Sequence, residues 1–374
     1  MKTVIKVVST KADLRKFIYL PARIHRDHAN WVPPIYMDDW EYFNPKKNRS
    51  FAFCDTVLLL AFQGREAVGR VMGIIHRTYN ERHNEPHARF AWLETGNDPE
   101  VYGALLGAVE NWAREKGMTH LVGPLGFSDK DPQGLLIEGY EQPVVLASNC
   151  NFPFLVELTE QYGFRKKVDL VVYQIPVPEV LPPIYQKINQ RYLARETDLQ
   201  VLEFTSRRKV KPYIYPVLNL VNETFSGIYG FIPYTEKEMD EMANRYLYLI
   251  DPRYIKIVVN GSHEVVAFII GMSDISSGIR QAKGRLLPFG FLHLLRAARH
   301  SKQLNLLLGA IRPDYQGRGI DVLMGTRMIE SARLTGKTTL DSHLELESNT
   351  KVRAEMERMG GRVYKRFRIF EKEL

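Results

Sequence analysis

The 374-residue sequence has only two cysteines, Cys54 and Cys150, far apart in the chain. So few cysteines exclude a disulfide framework or a cysteine-built metal site as the organising element, and a reducing compartment is expected. Long apolar runs are missing as well. No stretch reaches the roughly 18 to 20 consecutive apolar residues that span a bilayer. The opening segment MKTVIKVVSTKADLRK carries basic residues but no apolar core of signal-peptide character. A cytoplasmic protein is therefore expected, with the inner membrane surface within reach. Acidic residues are in deficit: 43 Asp and Glu stand against 51 Lys and Arg, a formal net charge of +8. Such an excess suits nucleic acid, an anionic membrane or a phosphorylated cofactor. No nucleic-acid module or aromatic-basic readout motif accompanies it, so nucleic acid is not an expected partner.

What is present is enough for two ordinary domains. The composition is 45% hydrophobic and 25% charged, which allows each half a core of its own. One order of elements occurs twice. In the first half a strand at 4–9 and a helical stretch from Ala12 to about His28 precede an apolar hairpin, 56–62 and 67–76. Then come a strand at 89–94, a helix at 99–116 opened by Asp98 and closed by Gly117, a strand at 120–122, a helix at 154–162 and a strand at 170–175. In the second half a strand at 200–205 and a helix at 213–225 precede a hairpin, 255–259 and 265–272, around the turn dipeptide Asn260-Gly261. A strand at 304–311, a helix at 318–335, a strand at 340–346, a helix at 349–359 and a strand at 362–371 follow. Pro176, Pro178, Pro182 and Pro183 mark a linker between the halves. The pattern predicts an α/β fold with a mixed central sheet flanked by helices, built twice: 1–178, a linker at 179–198, and 199–374.

The segment Ile311-Arg312-Pro313-Asp314-Tyr315-Gln316-Gly317-Arg318-Gly319-Ile320 lies between a buried strand and a helix. Glycines let the backbone turn tightly and approach a ligand. The helix start supplies unpaired N–H groups and a positive dipole end, a combination that suits pyrophosphate. Taken alone, Gly-x-Gly also serves merely to join a strand to a helix.

In this setting the segment resembles the acyl-CoA loop of the GCN5-related N-acetyltransferase (GNAT) superfamily, Gln/Arg-x-x-Gly-x-Gly/Ala, with Gln316, Gly319 and Asp321 at its fixed positions. Asn349 and Gly360-Gly361 resemble the Asn…Gly-Phe segment of the same superfamily, and Tyr162-Gly163-Phe164 the corresponding helix end in the first half. The resemblance implies two tandem acyl-CoA N-acyltransferase domains, with acetyl-CoA or a longer acyl-CoA as co-substrate, an amine as acceptor and no metal. The implied cofactor contacts are Ile311, Gln316, Gly317, Arg318, Gly319, Ile320 and Asn349. Asp321 departs from the small residue expected at its position. Met356 falls where many relatives carry a thiolate-protonating tyrosine. Both departures favour an alternative, a catalytically silent ligand-binding member of the fold. The first half's equivalent loop, Thr95-Gly96-Asn97-Asp98-Pro99-Glu100, lacks paired glycines, and loss of cofactor binding is expected there.

Attack of an amine on a thioester requires a proton acceptor. His343, Glu345 and Glu347 alternate along a strand and share one face by its period of two. They are the candidates, with Glu347 preferred for its place just before Asn349. A solvated strand face is the plainer alternative. Glu223, Tyr229 and Tyr234 lie after the second half's first helix, where relatives place substrate contacts. The acidic loop 129–141 reads either as an amine clamp or as a solvated connection.

The insertion Lys283–His300 is rich in leucine and phenylalanine. From Ser276 to Lys302 there are six Lys or Arg and no Asp or Glu. It suits an anionic lipid surface or a cover over an acyl chain, and equally a helix packed on a neighbouring domain. Together with Asp27–Pro34 and Tyr364–Lys372, it is similar to a bacterial family of two-domain acetyltransferase-like proteins that includes bacterial ceramide synthases. That similarity implies a fatty acyl group and a sphingoid or other lipid amine.

Overall fold

The structure is a computed structural model. It describes residues 2–145, 148–194, 198–246 and 250–374, with side chains for all of these except 191–194 and 242–246. The first half opens with β1 (Thr3–Val7), α1 (Lys11–Tyr19), α2 (Pro21–Ile24), α3 (Tyr36–Tyr42) and α4 (Ser50–Phe53). It continues through β2 (Cys54–Gln63), β3 (Glu66–His76), α5 (Arg77–His83), β4 (His87–Thr95) and α6 (Pro99–Glu115). It closes with β5 (His120–Gly123), β6 (Leu135–Glu138), α7 (Pro153–Gln161) and β7 (Arg165–Pro176). Within the expected linker, Pro183–Ala194 forms α8, which packs on the second half, while 195–197 lie outside the described residues.

The second half repeats the order. It runs β8 (Gln200–Glu203), α9 (Arg207–Val210), α10 (Ile214–Thr224), α11 (Glu236–Tyr246), β9 (Ile255–Val259) and β10 (Val265–Ser273). Next come α12 (Ser276–Gln281), α13 (Gly290–His300), β11 (Gln303–Ile311), α14 (Ile320–Leu334) and β12 (Thr339–Asp341). It ends with β13 (Glu345–Leu346), α15 (Thr350–Arg358) and β14 (Arg362–Glu373).

Local chemistry sets these elements. Gln63 pairs with Glu66 across a two-residue turn in which Gly64 has φ +62°. Asp98 caps α6 from its side chain, Pro99 sits at the first helical position, and Gly117 follows the helix with φ +75°. The stretch expected to be helical to His28 instead breaks at Leu20-Pro21, and α2 ends at Ile24. His25 and His28 therefore sit in the turn that follows.

All 14 strands among the described residues join one sheet, ordered β1-β2-β3-β4-β5-β14-β7-β12-β11-β10-β9-β8, with β6 beside β14 and β13 beside β7. The two arms are built alike, each an antiparallel run ended by one parallel pair, β4–β5 and β11–β12. The final strands are exchanged. β14, from the end of the second half, lies between β5 and β7, and β7 lies between β14 and β12. Neither half thus closes its own sheet.

Helices cover both faces. One face carries α6 and α7 on the first arm, and α8, α14 and α15 on the second. The other face carries α1–α3 on the first arm, α10 with the loop after it, and α12–α13. Val101, Tyr102, Leu105, Leu106 and Val109 of α6 are fully buried, and burial of each such side chain contributes roughly 1.5–3 kcal/mol. The expected strand 340–346 is interrupted. His343 has φ +59°, which a strand cannot accommodate, so β12 stops at Asp341 and β13 resumes at Glu345.

Candidate acyl-CoA site

The second half opens where its parallel pair parts. β11 and β12 pair only over Gln303–Thr339, Leu304–Leu340 and Asn305–Asp341. β11 then runs on to Ile311, while the chain after Asp341 turns away through Ser342 and His343. Leu308 is half-buried and Gly309 exposed in the middle of an otherwise buried sheet, as they would be along an open groove.

The groove leads to the start of α14. Gly317 (φ +73°) and Gly319 (φ +83°) both take the left-handed conformation that glycine tolerates best. Gly319 caps α14, and no side chain hydrogen-bonds to that helix start. A side chain at Gly317 would meet nothing within 4 Å, so the backbone there faces open space. Arg312 and Arg318 lie 4.7 and 4.6 Å from the centre of the Tyr315 ring; Arg312 is ion-paired to Asp314 (2.8 Å) and Glu264 (3.4 Å), so Arg318 is the cation that adds positive charge beside the loop. Gln316 donates to the Ile311 carbonyl at 3.3 Å and braces the turn. Ile320 is fully buried beside the half-buried Ile311 in the core between α14 and β9–β10, so both anchor the loop. Free N–H groups, a helix dipole and room for a ligand together fit a pyrophosphate.

The first half offers no such place. The Asp98 carboxylate accepts from the N–H groups of Glu100 (2.9 Å) and Val101 (3.2 Å) at the start of α6, so that helix end already holds its own anion. Asn349 plays a similar part at α15. Its side chain accepts from the Val352 N–H at 3.4 Å as a helix cap. Asp321 is exposed in the first turn of α14, and Met356 packs into the core beneath α15.

The three proton-transfer candidates separate sharply. Glu347 is ion-paired to Lys166 (2.8 Å) and Arg366 (2.5 Å), and its hydrogen bond to Lys166 holds its carboxyl below the ordinary range. Glu345 makes no hydrogen bond or ion pair among the described residues, and burial alone pushes its pKa up to about 8. It pairs with Val171 of β7, on the sheet face covered by α14 and α15. His343 lies in the break between the strands and donates its N–H to Asp341 at 2.8 Å.

The expected substrate contacts meet the first half. Tyr229 packs near Arg89 and Tyr79, and burial raises its hydroxyl pKa. The Tyr234 ring lies 3.4 Å from the Lys130 ammonium. Glu223 is exposed at the end of α10. The loop 129–141 touches the second half at its start, where the Asp129 N–H donates to the Gly230 carbonyl at 3.2 Å and Lys130 to the Ile232 carbonyl at 2.7 Å, while the half-buried Asp131 accepts from the Tyr42 hydroxyl of its own half at 2.8 Å. A surface cleft of about 760 Å³ between 45–53 and 235–238 includes none of the expected site residues. Among the described residues, no group of three His, Cys, Asp or Glu is placed to hold a metal ion.

On the face opposite Glu345, a polar group invisible to local sequence reading surrounds the fork. Asp341 accepts from the Tyr364 hydroxyl, and the adjacent Lys365 donates to the Pro143 carbonyl. Asp341 and Lys365 are both buried, and burial lowers the Lys365 pKa.

Two of the three segments quoted for their family likeness meet, the one ending at Pro34 and the insertion. The Tyr36 N–H donates to the Gly284 carbonyl at 3.1 Å. Val32 and Ile35 pack with Ile275, Ile279, Leu286 and Leu294 beneath α13. The outer side of that helix and of the turn before it is bare: Leu287 is 72% exposed, Phe289 70% and Leu295 59%. Lys283, Arg285, Arg296 and Arg299 are exposed around them, so this side does not pack on a neighbouring domain of this chain. Among the described residues no helix is long and apolar enough to cross a membrane.

The duplicated sheet, the parting parallel strands and the glycine loop at α14 define a tandem GNAT fold. A tandem GNAT protein from the clavulanic acid biosynthesis pathway superposes with a TM-score of 0.57 at 11% identity, covering 100% of this chain and 98% of that one. In sequence, the chain is homologous along its length to two bacterial proteins. It is 28% identical over 375 residues to the bacterial ceramide synthase of Caulobacter vibrioides, covering 98% of this chain and 96% of that protein. It is 27% identical over 380 residues to protein YghO of Escherichia coli, covering 99% and 95%. No protein-family model matches the chain.

Proposed function

We propose that this protein transfers a fatty acyl group from acyl-CoA to the amine of a sphingoid-type lipid. The observation that carries this reading is the uncapped start of α14 behind Gly317 and Gly319, opening where β11 and β12 part. Pyrophosphate would take the free N–H groups of α14, with Gln316, Arg318 and Asn349 around the loop. The acyl thioester would then reach the fork. Similarity to a ceramide synthase supports a lipid amine as acceptor. So does the bare apolar side of α13 with its basic border, which fits an anionic membrane surface from which a lipid could enter.

Chemically, the departing thiolate needs a proton, and Met356 has none to give. Glu345 replaces the missing acid in this reading. It holds its proton near neutral pH and lies on the face of the sheet that carries α15. Glu347, pinned by Lys166 and Arg366, serves structure.

The test is ligand binding coupled to turnover. Palmitoyl-CoA should raise the melting temperature of the wild type and support acylation of sphinganine, read by mass spectrometry. Gly317→Asp should remove the thermal shift, because the carboxylate faces open space where pyrophosphate would lie. Aspartate tolerates the left-handed conformation comparatively well, so the fold should survive. An unchanged shift in Gly317→Asp would remove this loop from the donor site.

A further inference from the structure

The first half contains a hydrogen-bonded chain that no expected site residue belongs to. Glu94 on β4 accepts from His25 Nε2 at 2.9 Å, and His25 Nδ1 lies 3.0 Å from His28 Nδ1. A carboxylate can only accept, so with both rings neutral His25 carries its proton on Nε2. His25 Nδ1 is then an acceptor, and His28 must donate from Nδ1. The lone pair of His28 is left on Nε2. The rings are held firmly: Trp31 and Phe152 stack on His25 at 5.2 and 5.3 Å, and Phe152 stacks on His28 at 4.3 Å.

His28 is linked to the fork through the segment that carries Tyr140 and Cys150 and through β14. Cys150 Sγ is 3.8 Å from His28 Nε2. Asn30 donates to the Tyr140 carbonyl at 2.9 Å and accepts from the Val144 N–H at 3.2 Å, fixing the histidine turn to the segment 139–145. That segment is pinned to β14 through Lys365 and Pro143, and the neighbouring Tyr364 reaches Asp341, where β12 leaves β11. His28 is half-buried, and so is Cys150.

We propose that His28 is the group that takes the proton from the acceptor amine, so that the first half supplies the base and the second half holds the acyl donor. This rests on the acyl-CoA reading of the second half. An ammonium loses two protons on becoming an amide nitrogen. One passes to His28 Nε2, and the nitrogen then attacks the thioester carbon. As the C–N bond forms and the C–S bond breaks, the thiolate takes a proton from Glu345 on the other face of the sheet; Glu345 is reprotonated by water, and the second amine proton passes to water. The proton on His28 is released to water, matching the one proton the net reaction yields. Glu94 and His25 are positioning residues that set the tautomer and stabilise the charged ring. The groups facing His28 are His25, Glu94 and Cys150; burial and His25 lower its pKa while Glu94 opposes them. Burial thus favours the neutral ring, the form that accepts a proton.

The experiment follows sphinganine acylation by palmitoyl-CoA across pH in wild type, His28→Ala, His28→Gln and Glu94→Gln, with the palmitoyl-CoA thermal shift measured on each. The expected result is a fall in turnover of about a hundredfold or more in both His28 variants. The thermal shift should be retained, the acidic limb of the rate profile should vanish, and imidazole should partly rescue His28→Ala. Glu94→Gln should show a smaller loss and a displaced acidic limb. Wild-type turnover in a folded His28 variant, or an acidic limb unchanged in its absence, overturns the proposal. Absence of a palmitoyl-CoA shift in the wild type would instead strike the donor reading.

Discussion

Glu345 gives the structure its most direct thermodynamic test. In the unfolded chain its carboxyl ionises near 4.5, and in the fold it keeps its proton to about 8. Between those values the unfolded state releases a proton that the folded state retains. This residue therefore lowers stability progressively as pH rises from 4.5 to about 8, and no further above that. The difference of pKa amounts to about 5 kcal/mol at most, because each unit corresponds to about 1.4 kcal/mol. Local relaxation and water entry reduce that to about 2–4 kcal/mol. Glu345→Gln removes the ionisation while keeping size. At about pH 5 the variant and wild type should unfold alike in urea. At about pH 8.5 the variant should be the more stable by about 2–4 kcal/mol, read as a higher urea midpoint with an unchanged slope. Its acyl transfer should meanwhile fall by about a hundredfold. Gain of stability with loss of activity marks a residue kept for function against its cost to the fold. Parallel stability profiles across the pH range would show that Glu345 ionises normally in the folded protein, and would refute its assigned role as acid.

The α13 surface predicts separable effects on membrane binding. Replacing Lys283, Arg285, Arg296 and Arg299 with glutamine should weaken flotation with anionic liposomes more than with neutral ones, by roughly 1 kcal/mol per charge. Phe289→Ser with Phe291→Ser should weaken both; equal flotation by all forms would exclude this face. Exchange of the last strands predicts that 1–178 and 179–374, produced apart, are each insoluble, whereas coexpression yields a soluble complex by gel filtration. Independent folding of either piece would contradict the shared sheet.

Much of this architecture was legible locally. Two passes through one order of strands and helices, and glycines between β11 and α14, need only neighbouring residues to be read. The strand exchange was not legible, because β14 pairs with β7 across some 200 positions and no local pattern records such a partner. The surroundings of each carboxylate were hidden for the same reason. Glu347 follows the strand period and precedes Asn349, but its state is set by Lys166 and Arg366, supplied by β7 and β14. Period alone put His343 on the same face, and its positive φ removed it. His25 and His28 were passed over inside a supposed helix. Pro21 ends that helix pattern early, and His-x-x-His followed by Trp31 outside a helix is the signal that was available.

Strand exchange also bears on why a half without a donor site would be retained. The distance between the histidine turn and the fork is set by the register of β14 between β5 and β7. Side chains alternate along a strand, so a slip of one residue would turn Lys365 away from Pro143 and bring Arg366 to the opposite face. Register shifts at Val363/Lys365 and Ile369/Phe370 make such a slip unfavourable, since the irregularities would have to be rebuilt. Arg368 adds a lock, donating to Asp169 at 2.8 and 3.1 Å across the same pair of strands. The first half, having filled its own helix start with Asp98, still fixes where the amine side of the reaction sits relative to the fork. A duplicated fold whose last strands are exchanged keeps both halves, because neither sheet closes without the other's final strand.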